Sequence, residues 1–177
     1  MKKNYLVLSA YQKQIPKNYN ILYFHNYIKK YQNKKNKFFS ISYHWINTKK
    51  FEKDYYYLKK IHMHLLKKIS NTLNKIHNEN HDTRYWRLLL DPFLFYYISV
   101  MYDRWEIINS VVKKYKKIDL GKIDDLTLLK PPHNFEEFVD NINDEDWNIK
   151  LFENIISSNF KKNFEFINKY EKTEIKA

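Results

Sequence analysis

A chain of 177 residues with 44% hydrophobic and 18% aromatic side chains can bury a real core, and that composition excludes a disordered class despite 29% charged residues. It has no cysteine, which excludes disulfides, thiolate metal sites and a cysteine nucleophile, and its one glycine, Gly121, excludes a GxGxxG turn or a Walker A loop. The net charge of +12 favours anionic partners.

Tyr5 to Ser9 and Ile21 to Phe24 are short apolar or aromatic runs bounded by Asn, Lys or Pro, the pattern of buried strands. Tyr27 to Tyr31 has room for one or two helical turns, residues 29–37 are too polar for a core, and Phe38 to Tyr43 is a third candidate strand. From Thr48 to His77 the spacing predicts a long helix. Phe51, Tyr55, Leu58, Ile61, Leu65, Ile69, Leu73 and Ile76 recur at steps of three and four, with Asn47 or Thr48 as cap. Asn78 to Asp82 interrupts the pattern, and Asp82 or Thr83 can cap a second helix running to about Lys117.

Leu88 to Tyr102 in that second helix is apolar nearly all round, so it is expected in the middle of a domain, kinked at Pro92. It is shorter than the roughly 20 apolar residues that cross a bilayer. Gly121 reads as a stop, Leu126 to Leu129 as a fourth strand, and Asn134 with Glu137 as a capping box. Asp144 to Asp146 opens a last helix through Ile156. The whole is α/β: one domain over 1–158 with a small, partly parallel sheet and a helical hairpin over 48–117. Residues 159–177 are expected as an amphipathic or frayed tail.

Residues 1–77 hold 17 Lys/Arg against 2 Asp/Glu, whereas residues 118–177 hold 8 against 13. The basic half would attract nucleic acid, nucleotide-sugar diphosphates or anionic headgroups. A compositional origin competes with this, since Lys, Asn, Ile and Tyr dominate as an AT-rich coding sequence would make them. Lys2 and Lys3 precede an apolar run too short for a secretory signal, so a cytoplasmic protein is expected, with peripheral contact at an anionic inner membrane as the variant.

Arg84 and Arg87 lie three apart near a helix start, where guanidinium forks grip phosphate or carboxylate; the competing role for Arg87 is pairing with Asp91. Asp103 and Arg104 are adjacent and must point to different partners, with buried ion pairing as the competing role for at least one of them. His44, next to Tyr43, and His81 are candidate general bases toward an acceptor hydroxyl, with a structural role as the alternative. No metal is expected: His62 and His64 cannot share a helix face, and His77 and His81 lack the HExxH glutamate.

Between His77 and Pro92 the chain reads HxxNHxxRYWRxLLxP, followed by Asp103-Arg104-Trp105. With Leu6 to Ala10, Tyr43-His44-Trp45, the KDYxYL run from Lys53 to Leu58, and Asp144 to Asn148, it resembles the N-terminal portion of a family of transferases. That family comes from bacterial surface-polysaccharide (lipopolysaccharide and O-antigen) loci. The chain departs from it where His25-Asn26-Tyr27 replaces a glycine-tryptophan segment and Asp91-Pro92-Phe93 replaces Gly-Pro-Trp. The resemblance implies a Rossmann-like half-domain of a two-domain glycosyltransferase whose members run on for several hundred residues. This chain would then lack the donor-binding domain and be inactive alone.

The resemblance further implies a nucleotide-sugar donor and a glycan or lipid-linked acceptor, with no resident cofactor. His44 and His81 would be catalytic, and Arg84, Arg87, Tyr43, Asp103 and Arg104 would bind substrate. A basic module for nucleic acid or anionic lipid is the alternative, weakened for nucleic acid by the lack of any recognisable motif.

Overall fold

The computed structural model describes residues 2–8, 15–24, 36–122 and 131–169. The chain divides into two compact units, residues 1–43 with 104–177, and residues 44–103.

The first unit is built on five strands, β1 (Asn4–Val7), β2 (Asn20–Phe24), β3 (Lys37–Ile41), β4 (Ile118–Lys122) and β5 (Phe164–Lys169). All pairings are parallel, in the order β3-β2-β1-β4-β5. The partly parallel sheet expected from sequence is therefore wholly parallel, in the order of a Rossmann-like half. A parallel sheet is covered on both faces, which is why its inner strands are unbroken apolar runs. Leu6, Leu22 and Leu120 pack on one face against Ile107, Ile108 and Val111. Tyr5, Val7 and Ile21 make the core of the other face.

Among the described residues this unit also holds the end of α2 (Thr83–Lys114), α3 (Phe135–Asn143) and α4 (Glu145–Ile155), followed by a π-helical turn (Ile156–Phe160) and a 3-10 turn (Lys161–Asn163). Asn134 accepts the N–H of Glu137 and Asp144 that of Trp147, so the two expected caps start α3 and α4. The order reverses between β1 and β4, the position at which open α/β sheets hold ligands beyond the strands' carboxyl ends. The connections leaving β1, β2 and β4 there run through residues 9–14, 25–35 and 123–130, outside the described residues.

The second unit is a helical hairpin. A short 3-10 turn (His44–Ile46) leads into α1 (Thr48–His77), and α2 returns from Thr83. Asn47 caps α1 by accepting the N–H of Lys50, and Asp82 caps α2 by accepting that of Tyr85 at 2.8 Å. Asn78 closes α1 in the left-handed region at φ 52°, a conformation Asn tolerates better than most side chains. Leu58, Leu66, Leu94 and Ile98 form the shared core.

Several expectations change. The buried face of α1 runs through Asp54, Leu58, His62, Leu66 and Ser70, so Phe51 and Tyr55 of the expected apolar face are left half-exposed. Every step along it is four residues, and its polar members have partners within the unit. Leu88 to Tyr102 is helical but not buried all round, since Leu88 is 75% and Leu89 60% exposed. The helix continues through Pro92. Gly121 does not stop a helix: it lies within β4, where the register with β5 shifts between Leu120 and Lys122, the bulge that a strand glycine commonly marks. The strand expected at 126–129 and the turns expected at 27–31 fall outside the described residues. The expected tail carries β5, because Phe-Glu-Phe alternates with the period of a strand rather than a helix.

Candidate functional site

Most motif side chains in the chain bond to one another. Nε2 of His44 lies 3.0 Å from Oδ1 of Asp103, both side chains at or below 5% exposure. A carboxylate only accepts, so Nε2 carries the proton of this pair. Beside it, Trp45 Nε1 donates to Asp54 at 3.0 Å and Lys50 Nζ reaches the same oxygen at 2.8 Å. Burial pushes the Asp54 carboxyl up, but hydrogen bonds from Lys50, Trp45 and Tyr102 outweigh it and hold it below the usual range.

At the far end of the hairpin Asn74 is the hub. Its Nδ2 donates to the carbonyl of His81 at 2.7 Å, and its Oδ1 accepts from the His81 N–H and from Trp86 Nε1. His77 stacks on Trp86 with ring centres 6.0 Å apart. In the sheet unit, Arg104 Nε donates to Asn148 Oδ1 at 2.9 Å, joining the DRW and DEDWN segments.

This bonding gives partners within the protein to three residues expected in catalysis or substrate binding. His44 and Asp103 are a buried pair with no open face for an acceptor hydroxyl. Arg104 is committed to Asn148, whose amide in turn holds the carbonyls of Ile142 and Asp144. Tyr43 follows β3 with 38% exposure. His81 is partly exposed, its ring stacked 3.9 Å from that of Tyr85 and 3.6 Å from the Glu79 carboxylate.

His81, Arg84 and Arg87 share the start of α2, but His44 does not join them. Its partner Asp103 is nineteen residues beyond Arg84 on the same helix, about 28 Å at the helical rise. His44 therefore does not line the depression that Arg84 and Arg87 share.

Among the described residues, a depression of about 660 Å³ is lined by Arg84, Arg87, Asp91, Thr83, Met63 and Leu88. Arg87 Nε donates to Asp91 Oδ2 at 2.7 Å, the pairing that competed with a binding role in the sequence. From behind, the buried ring of His62 brings Nε2 to 2.9 Å from Asp91 Oδ1, an ion-pair distance without hydrogen-bond geometry. Arg84 is exposed and makes no ion pair or hydrogen bond among the described residues. Sequence reasoning missed His62. Its four-residue spacing with Asp54, Leu58 and Leu66, together with a lone aspartate in the facing apolar run, was the available signal.

The depression thus offers a cation without a partner, a second guanidinium, a threonine and a carboxylate one-third exposed. Such a set can bind an anion and accept a hydrogen bond from a hydroxyl. Among the described residues no group of three or more His, Asp or Glu gathers as a metal site, and no helix is long and apolar enough to cross a membrane. No curated protein and no solved structure matches the chain. The family model described as LIC12162 family transferase matches residues 4–177, and the chain belongs to that family.

Proposed function

We propose that this chain contributes the acceptor side of a glycosyltransferase in bacterial surface-polysaccharide synthesis, binding a phosphorylated or otherwise anionic sugar substrate at the start of α2. Family membership supports group transfer, and the glycosyl and polysaccharide readings rest on the motif resemblance. The observation that carries the proposal is Arg84, partnerless among the described residues, facing the same depression as Arg87 and the carboxylate of Asp91. Arg84 takes the anion, Arg87 is held in place by Asp91, and Oδ2 of Asp91, the oxygen that also holds Arg87, accepts a sugar hydroxyl. His62 behind Asp91 positions that carboxylate.

Calorimetric titration of the chain with inorganic pyrophosphate and with uridine diphosphate tests this. Arg84→Ala should weaken binding at least about tenfold, as the loss of a charge-assisted bond does. Its melting temperature should stay at the parent value, because the side chain is exposed and unbonded. Equal affinity in the parent and in an Arg84→Ala/Arg87→Ala variant would remove the assignment.

A further inference from the structure

The part of α2 that begins at the depression carries a second feature. Tyr85, Leu88, Leu89, Pro92 and Tyr96 recur at helical steps along one exposed face, with Leu88 at 75% and Leu89 at 60% exposure. An exposed pair of leucines on a helix that elsewhere buries its apolar residues costs solvation unless something covers it. The stripe spans twelve residues, Tyr85 to Tyr96, about 16 Å along the helix, with a tyrosine at either end.

Cations surround it. Met63 of α1 lines the depression together with Leu88 and Pro92. Lys59, Lys60 and Lys67 are three or four positions from Met63 and so share its side of α1. All three are exposed and make no ion pair among the described residues, and Arg84 adds a fourth cation. The one carboxylate in the depression, Asp91, is already bracketed by Arg87 and His62.

We propose that this face docks the chain on an anionic phospholipid surface, Leu88 and Leu89 entering the interface and the lysines meeting the headgroups. A convex apolar stripe with tyrosines at its ends and basic side chains along its rim is the pattern of helices that lie in a bilayer interface. A second copy fits less well, because a two-fold contact would press the same four cations against themselves. The docking stands without the proposed substrate reading, since it needs only the stripe and the lysines.

Co-sedimentation of the full 177-residue chain with vesicles tests it. Binding should require phosphatidylglycerol in the phosphatidylcholine and fall as salt rises. Leu89→Ser, 60% exposed and outside the lining of the depression, should cut partitioning at least about tenfold while leaving pyrophosphate affinity and the melting temperature unchanged, which separates this face from the anion site. Lys59→Glu/Lys60→Glu/Lys67→Glu, all on the surface, should lower it by on the order of a hundredfold, as about 1 kcal/mol per basic residue implies. Absent binding, equal binding to neutral vesicles, or binding untouched by the leucine variant would each overturn the proposal. So would self-association that the leucine variant abolishes without any vesicle binding.

Discussion

Asp54 shows how a buried carboxylate becomes structural rather than catalytic. It sits on the inner face of α1 with three side-chain donors around it, and its carboxyl is held below the ordinary range. A depressed folded-state value stabilises the protein above the unfolded carboxyl's range and loses that contribution as pH falls through the folded value. Asp54→Asn should therefore cost about 2 kcal/mol at neutral pH in urea denaturation, a penalty that shrinks below about pH 4. Tyr19 is the opposite case. Burial, then its 2.9 Å bond to Asp119 and that group's charge, push its hydroxyl up to about 12. Being raised, it stabilises fully below the unfolded value of about 10 and loses this as pH climbs toward the folded one. In an alkaline absorbance titration, the difference between parent and Tyr19→Phe should isolate one tyrosine ionising near 12. The residues picked from sequence for chemistry, His44, Asp103 and Arg104, all have partners within the protein. Buried polar groups demand partners, and one chain's letters do not say whether that partner is substrate or side chain.

Among elements, α1 was legible to the residue, from Thr48 to His77, because caps and periodicity agree at both ends. Its inward face was not. Counting apolar letters puts Tyr55 inside and His62 outside, whereas a polar side chain set against an opposite charge, as His62 is against Asp91, can be buried on the same face as leucines. The five-residue link to α2 depends on Asn74, which satisfies His81 and Trp86 at once. Asn74→Ala should cost about 2–3 kcal/mol in thermal or urea unfolding, since it strands the indole N–H and a backbone carbonyl. Asn74→Asp should lose part of that, keeping an acceptor for Trp86 and no donor for the His81 carbonyl.

For the whole molecule, the α/β class and the helical hairpin could be read from the sequence, but the order of strands could not. Parallel pairing is set by long-range packing, and β4 hides behind the only glycine of the chain, where a stop was the natural reading. The last strand was equally obscured, since six residues of Phe, Glu, Ile, Asn and Lys carry a weak alternation. Ending the chain at Asn163 would remove Phe164 from the sheet core and leave β4 unpaired on that side. Such a truncation should lower stability by about 3–5 kcal/mol and turn the chain toward aggregation, seen as a shifted urea midpoint and light scattering.

The pairing of β1 with β4 also sets a clock. Tyr5 and Asp119 are register partners 114 residues apart, and the entire hairpin unit lies between them in sequence. At bacterial or eukaryotic rates of synthesis, on the order of 5–20 residues per second, the first strand waits about 6–23 s on the ribosome before its second neighbour, β4, exists. During that interval residues 44–103 emerge complete, with contacts local enough to fold first. The sheet then closes last, around the strand that was made first. Nascent β1, β2 and β3 offer an open, apolar edge for those seconds, and it is there that a chaperone holding the growing chain should be found.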